Sequence, residues 1–158
     1  MKKLIIVRHG EYQDWVSGYP LSEDGKRQIR GLVNGIREHV NDGKALILFS
    51  TRTRAVQSAE ILSSELRIAS EAHEVLVSGG GELNLAAALS FVQQQKDRAD
   101  VVILVTHLEY GEMFPSHFAK HELGLQDTKA FNGYGIKKGH AWVIDCEART
   151  MALLSPVA

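Results

Sequence analysis

Three runs of aliphatic residues, Leu4-Ile5-Ile6-Val7, Ala45-Leu46-Ile47-Leu48-Phe49 and Val101-Val102-Ile103-Leu104-Val105, set the strongest limit on how this chain folds. None alternates apolar with polar residues, so each reads as a strand covered on both faces, the mark of a mainly parallel sheet with crossover helices. The connecting segments agree. Ile29, Leu32, Val33, Ile36 and Val40 recur at helical spacing, with Ser22 as an N-cap, Glu23 and Asp24 favourable to the dipole, and Asn41-Asp42-Gly43 as a stop. Ala55, Ala59, Leu62 and Leu66 form a second apolar stripe, and Leu85, Leu89 and Val92 a third, predicting a helix over residues 83–95. Residues 109–123 read as partly helical, with Pro115 forcing a start or a kink. Residues 141–146 and 150–154 read as two short strands joined by Glu147-Ala148-Arg149, a hairpin at the sheet's edge. The expected fold is a three-layer α/β/α sandwich on a mainly parallel sheet.

A length of 158 residues buries one good core and is short for two ordinary domains, so one domain is expected over residues 1–158. With 44% hydrophobic and 23% charged residues, the composition is that of a globular protein rather than a disordered one. No apolar run approaches the roughly 20 residues of a membrane helix. Lys2 and Lys3 precede only four apolar residues before Arg8, which does not read as a signal peptide, and the expected compartment is the cytoplasm. Cys146 is the single cysteine, which excludes an internal disulfide and a thiolate metal cluster. Eighteen basic residues against nineteen acidic ones give a net charge of −1, so neither nucleic acid nor a membrane surface is an expected partner. Any basic character is local.

That local character falls at the strand ends. The first run leads into Arg8-His9-Gly10, the second into Ser50-Thr51-Arg52-Thr53-Arg54, and the third into Thr106-His107. In open α/β sheets ligands bind beyond the carboxyl ends of the strands, so Arg8, His9, Arg54 and His107 share one rim. Moving a phosphoryl group requires cations, hydrogen-bond donors and an in-line nucleophile. Arg8 and Arg54 can clamp phosphoryl oxygens, His107 can donate a further hydrogen bond, and neutral His9 can attack phosphorus. Glu82, behind the loop Gly79-Gly80-Gly81, is the candidate proton donor to the leaving group, with Glu74 as its rival.

These motifs resemble those of the histidine phosphatase, or phosphoglycerate mutase-like, superfamily. Arg8-His9-Gly10-Glu11 is similar to its amino-terminal signature, and Leu21-Ser22-Glu23-Asp24-Gly25-Lys26-Arg27-Gln28 to its Leu-Thr-x-x-Gly-x-x-Gln helix start. The stretch from Ser50 through Arg54-Ala55 to Ala59 resembles its Ser-x-x-x-Arg-Ala-x-x-Thr-Ala segment, and Val105-Thr106-His107 its second-histidine motif. The resemblance implies the phosphoglycerate mutase-like fold, a phosphohistidine intermediate on His9 and a phosphate pocket of Arg8, His9, Arg54 and His107. It implies no cofactor and no metal. The chain departs from the family at Ser78-Gly79-Gly80-Gly81, where the context of the acid differs. It departs again at Leu108-Glu109-Tyr110, where small residues are usual and a carboxylate could narrow the pocket or repel an anion. Small size and the short connection from Glu11 to Leu21 are most similar to the compact SixA-type phosphohistidine phosphatases. The implied substrate is a phosphorylated protein or a small phosphorylated metabolite.

Other readings of the same residues are plainer. Arg52 competes with Arg54 for the pocket, and the family's register selects Arg54. Glu82 reads equally as a helix-start residue. His117 and His121 have the i, i+4 spacing of metal ligands but lack the accompanying glutamate, so surface histidines are expected. Trp15, Tyr19 and Trp142 either line a substrate surface or anchor packing. Lys137 and Lys138 read as a solvated strand end, and Cys146 as a small buried apolar residue. A binding module that keeps the phosphate pocket but turns over poorly is the alternative to an enzyme. Residues 114–132 are the segment long enough to cap the rim.

Overall fold

The structure, a computed structural model, describes residues 1–41 and 43–158. Strand β1 (Lys3–Arg8) is followed by α1 (Glu23–Val40), β2 (Ala45–Phe49), α2 (Thr53–Leu66) and a short β3 (Ser70–Ala72). Then come α3 (Leu85–Gln93), β4 (Val101–Thr106), α4 (Leu108–His121), β5 (Ala141–Asp145) and β6 (Thr150–Leu154). The six strands lie in the order β3-β2-β4-β1-β5-β6. β1 pairs in parallel with β4, β4 with β2 and β2 with β3, while β5 and β6 close the other side as an antiparallel hairpin.

The alternation hidden inside each aliphatic run separates the two faces. Ile5, Val7, Ile47, Ile103 and Val105 pack beneath α1 and α2 through Ile29, Leu32, Ile36, Ala59 and Leu62. Leu4, Ile6, Leu48 and Leu104 pack on the other face, beneath α3 and α4, with Val92, Tyr110, Phe114 and Phe118. The result is the three-layer sandwich expected from sequence.

The helix signals hold with local corrections. Ser22 caps α1 as expected, its hydroxyl accepting from Gly25 N at 3.0 Å. Asn41 ends that helix, and Asp42 of the proposed stop lies outside the described residues. The third helix begins two residues later than periodicity suggested, because the Asn84 side chain accepts from Ala87 N and caps it there. The hairpin turn is held by Asp145 Oδ1, which accepts from Glu147 N and Ala148 N, while Arg149 adopts a left-handed conformation. β3, only three residues long and polar, carried no strand signal.

Pro115 neither starts nor ends a helix. α4 runs through it, although proline cannot donate to the carbonyl four residues earlier. That carbonyl belongs to Gly111, and Trp142 Nε1 donates to it at 3.1 Å from β5. A neighbouring element thus supplies the missing donor. α4 carries Phe114 and Phe118 into the core, and Phe131 follows them, so three aromatics of the 114–132 segment bed it against the α3 layer. In this arrangement the segment packs on the core rather than forming the cap that its length allowed.

Candidate active site

The backbone ladder continues past the ends of the central strands and zips the rim together. His9 N donates to Thr106 O and Ser50 N to Val105 O, each at 3.0 Å, while Arg8 N donates to His140 O at 3.0 Å. The two histidines therefore come from adjacent parallel strands, with ring centroids 5.3 Å apart. Strand order reverses between β1 and β4, since β2 lies beyond β4 and β5 beyond β1. This is the switch point at which such sheets bind ligands.

His9 is 3% exposed, and its ring is fixed from two sides. Nδ1 lies 2.9 Å from Gly10 O, and a carbonyl only accepts, so the ring proton sits on Nδ1 and the lone pair on Nε2. Arg54 Nε donates to that Nε2 at 3.2 Å. Burial lowers the His9 pKa to about 3; the Gly10 bond opposes the shift, while His107, Arg54 and Arg8 reinforce it. A neutral imidazole with an oriented lone pair results.

Arg8 ends β1 and is held by Ile136 O, which accepts from Nη1 at 2.7 Å. Its buried Nε has no protein partner among the described residues, so this guanidinium retains an unspent donor. Arg54 stands in the first turn of α2, its guanidinium carbon 5.0 Å from the centre of the Tyr12 ring and 6.0 Å from that of Tyr19. Lys138 Nζ lies 4.6 Å from the same Tyr12 ring. The lysine read as a solvated strand end is thereby drawn to the rim. His107 caps the start of α4, is 3% exposed, and pairs through Nε2 with the Ser50 hydroxyl at 2.7 Å. Its pKa falls to about 4, by burial first and then by the charge of Arg54.

The four residues expected to form the phosphate pocket are thus brought together. Arg52 occupies the N-cap position of α2 without capping it through its side chain, which is exposed and lines open clefts beside the pocket. Glu82 is placed differently from its partners. Its side chain is exposed, on the outer cleft shared with Glu74, whose carboxylate accepts from Thr51 Oγ1 at 2.8 Å. Neither carboxylate bonds to a member of the pocket. His117 and His121 stack at 4.4 Å, but the described residues hold no group of three His, Cys, Asp or Glu suited to a metal ion. Cys146 is half-buried, and burial pushes its thiol up to about 11.

Sequence reasoning passed over several supporting residues. Ser58 Oγ accepts from Gly10 N at 3.2 Å and donates to Arg54 O at 2.7 Å, tying the loop that carries His9 to α2. Ser50 orients His107 while also accepting from Arg52 N. Both serines stand inside the motif that selected Arg54, yet nothing in the motif says which way a hydroxyl points. Tyr12 had no signal beyond its closeness to His9. Gly10 and Gly25 explain how the loop sits so near α1. A Cβ on Gly10 would lie 2.5 Å from the Gly25 carbonyl oxygen, and one on Gly25 would collide with the Glu11 carbonyl.

Residues 4–77 match the family model of the histidine phosphatase superfamily, branch 1. No curated protein is a significant sequence match. Solved structures are similar over nearly the whole chain. The SixA protein of Agrobacterium tumefaciens superposes with a TM-score of 0.72 at 18% identity, covering 98% of each chain. A protein histidine phosphatase SixA complexed with tungstate gives 0.70 at 18% identity, covering 98% of this chain and 97% of that one. A mycobacterial glucosyl-3-phosphoglycerate phosphatase complexed with vanadate gives 0.67 at 16% identity, covering 97% of each. The fold is therefore phosphoglycerate mutase-like. None of the helices in the described residues is long and apolar enough to cross a membrane.

Proposed function

Because the chain carries the histidine phosphatase pattern over residues 4–77 and the fold of that superfamily throughout, we propose that it is a phosphatase working through a phosphohistidine on His9. The observation that carries this reading is the fixed imidazole. Its proton is committed to Gly10 O, and its free nitrogen faces Arg54. A phosphoryl group entering there takes the Arg54 donor for itself and releases the lone pair to attack phosphorus. Arg8, through its unspent Nε, and His107 add donors to the same oxygens. Water then hydrolyses the phosphohistidine. Two arginines supply the charge that a metal would otherwise bring, with His107 as a neutral donor beside them, so in this reading neither a metal nor another cofactor enters the reaction.

The substrate is a phosphomonoester or a phosphoramidate, and the open rim favours one carried on a protein. Only nine residues separate Glu11 from Leu21, and that loop exposes Trp15 to 76% rather than folding it inward. Phosphohistidine on a protein is the substrate this suits best, ahead of a small metabolite. A phosphate- or phosphoprotein-binding module with weak turnover is the second reading, favoured by the outward position of Glu82.

An aryl phosphate assay with and without EDTA, beside acid quench of the enzyme, tests the first reading. Turnover that survives the chelator, an acid-labile phosphoenzyme, and loss of both in His9→Ala are expected. Tight phosphate binding without turnover would establish the module instead.

A further inference from the structure

We propose that Glu109 is the carboxylate that moves the proton at this site, activating the water that hydrolyses the phosphohistidine of His9. This rests on the phosphatase reading above and assigns a step that the reading left without a residue.

Glu109 stands in the first turn of α4, two residues after His107, and is only 9% exposed. It is a charged side chain folded into the rim. One oxygen accepts from Ser78 Oγ at 3.0 Å and the other from Gly81 N at 3.2 Å. Ser78 also lines the cleft that Arg54, Tyr19 and Gly79 border, so the carboxylate lies behind the wall of an opening that water can enter. The negative charge of Glu109 raises the pKa of Arg8, Arg54 and His107 alike, opposing the effect of their burial. No other carboxylate is among the principal charges on all three. Glu82 and Glu74, the carboxylates expected from sequence, are not among the principal charges on any of them.

The chemistry closes. The water oxygen bonds to phosphorus while one of its protons passes to a Glu109 oxygen. The bond from phosphorus to His9 Nε2 breaks, and its electron pair returns to the ring, which keeps its Nδ1 proton on Gly10 O. Inorganic phosphate leaves. The Glu109 carboxyl then gives its proton to the leaving oxygen or nitrogen of the next substrate, and the cycle repeats.

Rapid mixing of p-nitrophenyl phosphate with wild type, Glu109→Gln, Glu109→Asp, Ser78→Ala and Glu82→Gln tests this. Glutamine keeps the size of Glu109 and can still bond Ser78 and Gly81, but it cannot take a proton. It should give a burst of one equivalent of nitrophenolate, an accumulated phosphoenzyme, and a steady rate about 100-fold or more below wild type. Aspartate, which keeps the carboxylate, should recover part of the steady rate. Ser78→Ala, which loosens the loop alone, should leave no trapped phosphoenzyme.

The proposal fails if Glu109→Gln stays within a few-fold of wild type, or if it loses activity without a burst. The same holds if Glu109→Asp recovers nothing, and a burst in Glu82→Gln moves the role there. Wild-type enzyme that forms neither nitrophenolate nor phosphoenzyme would instead overturn the phosphatase reading, and this assignment with it.

Discussion

Arg54 Nε donates to His9 Nε2 at 3.2 Å, so the cation that would clamp the phosphoryl group also occupies the lone pair of the proposed nucleophile. The bond is an exchange partner. A phosphoryl oxygen that takes the Arg54 donor frees His9 in the same movement, which couples substrate arrival to activation of the nucleophile. Arg54→Ala should cost about 2.7–4 kcal/mol of transition-state stabilisation, the range for removing one preorganised donor, measured as kcat/KM on an aryl phosphate. Arg54→Lys should recover little, because an ammonium lacks the planar fork. A lysine variant with near wild-type kcat/KM would show that charge alone suffices.

The depressed pKa values of His9 and His107 set a direction for pH effects. With His9 at about 3 in the folded protein, activity should not decline as pH falls through about 6.5, the ordinary imidazole value, once the substrate's own ionisation is corrected for. Stability should behave otherwise. Both folded values, about 3 and about 4, lie below the unfolded one, so between those limits the unfolded chain binds more protons than the native protein. The stability these neutral rings contribute is fully present above about pH 6.5 and is lost as pH falls through that window. Urea unfolding at a series of pH values should show the decline, and His107→Gln should make it shallower. A curve equally steep in the variant would remove His107 from the account.

The bond from Trp142 to Gly111 O is what permits Pro115 inside α4. Trp142→Phe keeps most of the ring and deletes the donor, leaving a carbonyl that the helix itself cannot satisfy. We expect a loss of about 1–3 kcal/mol, read from denaturant midpoints at unchanged m-value. Pro115→Ala in that background should restore part of it, since alanine brings back the missing N–H.

Gly25→Ala should damage the site from the first turn of α1. Its Cβ would collide with the backbone of Glu11, next to Gly10, and the helix cannot retreat without opening the packing of Ile29 on the sheet. A destabilisation of about 1–3 kcal/mol is expected, with a fall in kcat that exceeds the fall in folded fraction. Full activity per folded molecule would mean that the loop adapts.

Substrate class follows from the open rim. Catalytic efficiency should be higher on a phosphohistidine-bearing protein than on 2,3-bisphosphoglycerate or a sugar phosphate, with negligible mutase activity. Competition between such substrates in one reaction tests the order. A metabolite hydrolysed orders of magnitude faster than any phosphoprotein would reverse it.

The parts of this architecture that the sequence displays are those whose physics is local or periodic. Aliphatic runs marked β1, β2 and β4, and spacing marked α1 and α2, while strand-end residues marked Arg8, His9, Arg54 and His107. What stayed hidden depended on meetings between distant segments. Pro115 breaks a helix on local grounds, and only the arrival of Trp142 reverses that. Glu82 was marked by the glycine loop before it, while its outward position is a property of the folded surface. Glu109 was visible as a misfit beside His107, but its bonds to Ser78 and Gly81 exist only after the glycine loop folds back.

β1 is bonded on both sides, to β4 and to β5, and Leu4 through Val7 are wholly buried. His9 is the second residue past that buried run, and His107 follows the neighbouring strand. The proposed nucleophile is therefore mounted on the part of the molecule expected to surrender its amide protons last. Fraying of β6, the outermost strand, leaves both sets of β1 bonds intact. Loss of catalysis on heating should track global unfolding in a single step, making enzymatic rate a direct reporter of the folded population.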